Sequence, residues 1–156
     1  MIRIQDIHKH QFLGNSDFPR LTWDEVIFNF NKSVVNNLPY RTMNNFGFVT
    51  HDNKCNTKVC AVAEEIQKLF PTNEITAHLY VSLTEISNTF GRHNDLEPLF
   101  IWQCIGITRW YVWDDKEYTY DLMPGDFLYI PARMDHNTKP ITPRAAVSFG
   151  VQIDKN

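Results

Sequence analysis

The residues best placed to do chemistry are His93 and Asp95, in the triplet His93-Asn94-Asp95, and His136, 41 residues further on. On extended backbone, residues two apart put their side chains on one face, so this imidazole and carboxylate can converge on one ion. A third donor must come from elsewhere. His136 follows four expected strands, and in an antiparallel barrel two hairpins return the chain to the same mouth. Two histidines and one carboxylate form the facial triad that holds non-haem Fe(II) and leaves the opposite positions open for oxygen and a co-substrate. An H-x-D triplet alone is common by chance, and a lone histidine is more often a satisfied polar residue. The setting of His136 favours chemistry: Gly125-Asp126 turns into a strand, Pro131 ends it, and the histidine comes five residues later.

The elements that must position these residues divide the chain. In the first half, Thr22-Trp23-Asp24-Glu25 has the capping-box pattern of a helix start. Trp23, Val26, Ile27 and Phe30 then recur at helical spacing. A second helix is expected over Val59 to Phe70, with Val59, Val62, Ala63, Ile66 and Phe70 as its apolar stripe and Pro71 ending it. Pro39 to Asn56 is polar and Asn-rich, and reads as loop with one short strand at Phe46–Val49; as a long loop, the stretch Asn36 to Asn56 is a candidate lid. From Glu74 the texture changes to period two: Ile75, Ala77, Leu79 and Val81 alternate with Thr76, His78, Tyr80 and Ser82. Further strands are expected at Leu99–Cys104, Thr108–Trp113, Lys116–Leu122, Phe127–Ile130, His136–Lys139 and Ala145–Val151. Short strands at such spacing point to a sandwich or barrel rather than to βαβ units.

Composition bounds the rest. The 156 residues make one domain, long enough to bury about two-thirds of the surface its unfolded chain exposes. Aromatics make up 13%, which excludes a disordered chain. Fifteen basic against eighteen acidic residues give a net charge of −3, which argues against a sequence-independent nucleic-acid binder. The N-terminus lacks the apolar run of a signal peptide, and no stretch approaches the length of a membrane helix. Three cysteines, Cys55, Cys60 and Cys104, fit ordinary thiols of a reducing cytoplasm better than a metal knot. A cytoplasmic protein, monomeric or homodimeric, with no nucleic-acid or membrane partner is therefore expected.

The run Gly125-Asp-Phe-Leu-Tyr-Ile-Pro131-Ala-Arg-Met-Asp-His136 resembles the second cupin motif, in which Gly, Pro and His fall at these spacings. Gly91 to Trp113 is similar to the core of the JmjC-type, cupin-fold oxygenases that use Fe(II) and 2-oxoglutarate, most of all to their bacterial ribosomal-oxygenase-like branch. There an H-x-D is followed by an apolar strand with a Gln, a Gly turn and Arg-Trp, here His93, Asp95, Gln103, Gly106 and Arg109-Trp110. Leu79 to Ser82 also matches the strand before the metal motif, and the resemblance covers residues 75–151. It implies a mainly β chain: a double-stranded β-helix (cupin/jelly-roll barrel) over 74–156 with an α-helical N-terminal flank over 1–73. It further implies Fe(II) held by His93, Asp95 and His136, with 2-oxoglutarate and O2 consumed to hydroxylate a substrate C–H bond.

One departure matters. Relatives place a Lys or Arg fifteen residues after the first metal histidine to bind the distal carboxylate of 2-oxoglutarate. Here that position is Thr108, and the adjacent Arg109 turns to the other face of the strand. Arg144, Ala146 and Ser148 share one face of the last strand, so Arg144 is the expected replacement cation, with Thr108, Tyr80 and Ser148 as further binding groups. The prime substrate is a small molecule or a protein side chain. The chain stops five residues after Val151, without room for appended substrate-recognition parts. Two alternatives remain open. A cupin-fold metalloenzyme that does not use 2-oxoglutarate is favoured by Thr108; a non-catalytic cupin-like binding protein is disfavoured by the intact triad. Asn94, Gln103 and Asn137 are polar groups near the triad, whereas Trp102, Trp110 and Trp113 read as packing residues.

Overall fold

The structure, a computed structural model, describes residues 1–51 and 56–153. The elements run β1 (Gln11–Asn15), α1 (Trp23–Val35), β2 (Tyr40–Met43), β3 (Gly47–His51), α2 (Thr57–Gln67), β4 (Ile75–Ser82), β5 (Leu99–Ile105), β6 (Thr108–Trp113), β7 (Glu117–Leu122), β8 (Asp126–Ile130), β9 (Asp135–Pro140) and β10 (Arg144–Val151). Seven strands form one sheet in the order β1-β8-β5-β10-β4-β3-β2, and β7-β6-β9 form a second. Every pairing is antiparallel.

Alternation along each central strand divides its side chains between two cores. On β4 and β10 the residues Ile75, Ala77, Leu79, Val81, Ala145, Val147, Phe149 and Val151 pack under the helices. Ile101, Trp110, Val112, Leu122, Leu128 and Ile130 form the other core, between the sheets. A strand covered on both faces has no need of a polar face, which is why β8 and β10 are buried along their whole length. The register opposes Ala146 to Tyr80 and Arg144 to Ser82, so the inward polar residues of β10 and β4 are neighbours. Gly106 lies in the turn between β5 and β6 at φ +67, where a Cβ would stand 1.9 Å from the Pro143 carbonyl oxygen. Only glycine fits there.

α1 starts where its capping box is expected: the Glu25 N–H donates to Thr22 Oγ1, and the Thr22 N–H donates to Glu25 Oε2. Lys58 Nζ also donates to Glu25 Oε2 at 2.8 Å, tying the first turn of α2 to that of α1. Val26 of the expected stripe is buried, but Ile27 is exposed. α2 buries Val59, Val62 and Ile66 and ends at Gln67, three residues before Phe70.

The first 73 residues are not the helical flank expected. They hold both helices and also three strands, two of which extend the large sheet beyond β4 while β1 extends it beyond β8. In the Asn-rich stretch the short strand expected at Phe46–Val49 is present as β3, but part of the expected loop is a second strand, β2, which pairs with it in a hairpin; residues 52–55, with Cys55, lie outside the described residues. The two strands not expected, β1 and β2, are the edges of the large sheet, which bury little and so carry a weak apolar pattern. No helix is long and apolar enough to cross a membrane among the described residues.

Candidate functional site

His136 stands on β9, with its backbone paired on one side to Val112 of β6. On its other side it pairs with His93, through His93 N–H to His136 O at 3.0 Å and His136 N–H to His93 O at 2.8 Å. This two-bond bridge makes neighbours of histidines far apart in the chain. Asp95 is pinned by its carbonyl, which accepts the Arg133 N–H at 2.6 Å. Its Oδ2 then lies 3.3 Å from His136 Nε2 and 3.9 Å from His93 Nε2. The hydrogen bond with His136 holds the Asp95 carboxyl below its ordinary range, although burial opposes it.

Each ring is oriented by a backbone carbonyl. His93 Nδ1 is 2.8 Å from Gly91 O and His136 Nδ1 is 3.0 Å from Met134 O. A carbonyl only accepts, so both Nδ1 atoms donate, and Nε2 of each ring, the atom turned toward Asp95, is left to give its lone pair to a metal in place of a hydrogen bond with the carboxylate. This is the tautomer a metal requires. Arg92 and Asn94, the two neighbours of His93, both grip Asp135, the neighbour of His136. Arg92 Nε reaches Oδ2 at 2.9 Å and Asn94 Nδ2 reaches Oδ1 at 2.8 Å, while the Arg92 guanidinium lies over the Trp113 ring. The bridge between the histidines is therefore clamped on both flanks.

The three side chains offer ligand atoms all within 4.8 Å of one another. With bonds of about 2.1 Å, ligands at right angles around an ion stand about 3 Å apart. The set thus needs only a small contraction to close on a divalent cation. Two neutral imidazoles and one carboxylate suit Fe(II), so the donors fit the expected group.

The triad opens on an interior cavity whose lining includes Tyr80, Leu99, Ile101, Trp110, Arg144 and Ser148. Arg144 is 3% exposed, donates from Nε to Ser82 Oγ at 3.1 Å, and meets no carboxylate among the described residues. Burial pushes its pKa down to about 10, so it remains a cation at neutral pH. Burial, reinforced by the Asp95 charge, pushes Tyr80 up to about 12, which leaves a neutral hydroxyl. A buried charge without a partner is costly unless a ligand of opposite sign supplies one.

The structure thus brings Tyr80, Arg144 and Ser148 to one cavity with His93, Asp95 and His136. Thr108 is not among the cavity-lining residues. It is buried on β6, and its hydroxyl has no hydrogen-bond partner among the described residues. Arg109 faces outward in a bidentate pair with Asp121, both contacts at 2.7 Å. Gln103 serves the β5–β6 turn rather than the triad, donating to Ile105 O and Gly106 O. Asn137 accepts from Thr89 Oγ1 and from the Thr138 N–H. Trp110 does pack in the core, and it also lines the cavity, with its ring 5.7 Å from that of His136. Met43 and Phe90 line the cavity too and carried no signal in the sequence, since each is one apolar residue in a polar stretch.

No protein-family model and no curated protein matches the chain. Solved structures do. The ribosomal oxygenase YcfD from Escherichia coli, in complex with cobalt and 2-oxoglutarate, aligns with a TM-score of 0.62 at 23% identity. That alignment covers 70% of this chain and 32% of the other. The same enzyme with cobalt and succinic acid gives the same values. Oxalate decarboxylase from Bacillus subtilis aligns with a TM-score of 0.54 at 18% identity, over 74% of this chain and 28% of the other. The chain thus spans about a third of the length of these structures. At such identity the likeness bears on architecture alone, a mainly β fold of antiparallel sheets shared with these structures, as the double-stranded β-helix expected from the sequence requires.

Proposed function

We propose that this chain is an Fe(II)- and 2-oxoglutarate-dependent oxygenase. The observation that carries this reading is the pairing, within one cavity, of a His-Asp-His cluster with a buried guanidinium that has no counter-ion among the described residues. In the overall reaction, 2-oxoglutarate, O2 and a substrate C–H become succinate, CO2 and a C–OH. Bound Fe(II) would supply the activation of O2, and the protein supplies the rest. His93, Asp95 and His136 hold the metal, with their Nε2 and Oδ2 atoms aimed at one point. Arg144 binds the distal carboxylate of the co-substrate through its planar fork. Ser148 and the neutral Tyr80 donate hydrogen bonds beside it. Trp110, Ile101 and Leu99 wall the cavity against water.

The missing cation at Thr108 and the likeness to an oxalate decarboxylase favour a second reading, a metalloenzyme of this fold that binds no 2-oxoglutarate. Calorimetric titration of 2-oxoglutarate into the Co(II)-loaded protein separates the two. Arg144→Ala is expected to weaken binding at least about tenfold, the scale of one charge-assisted hydrogen bond. Arg109→Ala is expected to leave it unchanged. Equal effects of the two substitutions would remove Arg144 from the role.

A further inference from the structure

β2 is an edge of the seven-stranded sheet and pairs only with β3 among the described residues. The His51 N–H donates to Pro39 O, which sets the phase of that ladder. By antiparallel alternation Arg41 and Met43 bond to β3, while Tyr40 and Thr42 turn their N–H and C=O outward. An open row of this kind is a template for another strand.

The two faces of that edge differ. On one side lies a groove of about 710 Å3 between α1 and the hairpin, lined by Ile27, Phe30, Thr42, Phe46 and Leu83 with almost no polar surface. On the other side is the site. The Arg41 guanidinium lies over Phe90, whose ring stands 6.0 Å from that of His93. Met43, at the tip, lines both the groove and the metal cavity.

The tip itself is held in a costly shape. Asn45 and Phe46 have φ of 59° and 63°, a region an aromatic residue rarely adopts. Phe46 is nevertheless 74% exposed. Residues 83–88 enforce the shape: Thr84 Oγ1 and Ser87 Oγ donate to Asn45 O, and the Leu83 N–H donates to Phe46 O. Strain held by a dedicated network, to present an apolar ring to solvent, marks a recognition surface. The metal cavity also needs such a surface. It offers only about 40 Å3 to the centres of water-sized spheres, room for a few waters. Co-substrate and reacting group would fill it, so the bulk of a second substrate must rest outside.

We propose that the prime substrate is an extended segment of another protein, which adds as a strand to the open edge of β2 and seats a large apolar side chain in the groove between α1 and the hairpin. Side chains of a strand alternate, so the residues flanking that apolar one turn toward the metal side. The groove therefore selects the neighbour of the residue that reacts. The word substrate rests on the oxygenase reading; the docking does not.

The test uses end-blocked Gly-Thr-Val-Thr-Phe-Thr-Val-Thr-Gly, titrated into 15N-labelled protein without metal, beside the same peptide with Ser for Phe. The Phe peptide is expected to shift the Tyr40 and Thr42 amide signals and to bind about tenfold tighter than the Ser peptide, the scale of burying one aromatic ring. Phe46→Ser and Leu83→Ser should each erase that difference without lowering the melting temperature. N-methylation of the peptide amides that face β2 should abolish binding. Equal binding of the Phe and Ser peptides, or binding left undiminished by N-methylation at each of the two alternate sets of residues in turn, would overturn the proposal. So would concentration-dependent dimerisation that Phe46→Ser removes, since a second copy would then own the surface. Peptide binding without any succinate formation by the Fe(II)-loaded protein would leave the docking standing and sink the oxygenase reading.

Discussion

Two imidazoles can meet one carboxylate in many proteins without holding a metal; here the backbone around them is what orients the set. The carbonyls of Gly91 and Met134 fix both rings with Nε2 inward, and the grip of Arg92 and Asn94 on Asp135 locks the strand segments on which the rings ride. Asp135→Ala is therefore expected to weaken Co(II) binding by about ten- to a hundredfold, the cost usual for losing a group that positions ligands. Its side chain is only part-buried and its ion pair with Arg92 lies near the surface, so the melting temperature should barely move. Unchanged affinity in an absorbance titration would mean that the backbone bridge suffices alone. The triad was legible because the spacing of His93, Asp95 and His136 survives in the sequence. The orienting carbonyls were not, since a backbone group leaves no mark on residue identity. The inward placement of Arg144 was legible through strand alternation from Ser148, whereas Thr108, chosen from its position in the sequence alone, lies outside the cavity lining.

Among the elements, the strands of the large sheet's interior follow their sequence pattern closely, and its two edges do not. β1 has no fully buried residue and β2 is mostly exposed, so neither has an apolar face to betray it. The tip of the β2–β3 hairpin should be the least stable choice of residue in the fold. Phe46→Gly relieves a left-handed backbone and is expected to raise unfolding stability by about 1 kcal/mol, read from the denaturant midpoint at constant slope. A loss of stability would show that the ring packs more than its exposure indicates. The start of α1 carries a pH dependence. Burial raises the Glu25 pKa, but the hydrogen bonds from Lys58 and Thr22 outweigh it and leave the folded value below the ordinary 4.5. The stability from this contact is thus fully present above 4.5 and is lost as pH falls through the folded value. The melting-temperature gap between the parent and Glu25→Gln should hold from neutral pH down to about 4.5 and close below it; a gap that persists unchanged well below 4.5 would assign the effect to packing.

For the whole molecule, the first 73 residues and the remainder are interleaved in one sheet, and this joins the two proposed sites. The hairpin that carries Phe46 is hydrogen-bonded to the segment leading from β4 to His93, so the surface proposed for a protein segment and the metal cluster share a wall. The central claim, that the three-residue cluster binds Fe(II) and leaves sites for 2-oxoglutarate, has a direct spectroscopic reading. Fe(II) and then 2-oxoglutarate are added anaerobically to the purified protein while the visible spectrum is recorded. The claim requires a weak charge-transfer band that appears only with both, that is absent in His136→Ala, and that gives way to succinate when air is admitted. Fe(II) bound at full stoichiometry with no band and no succinate would contradict it.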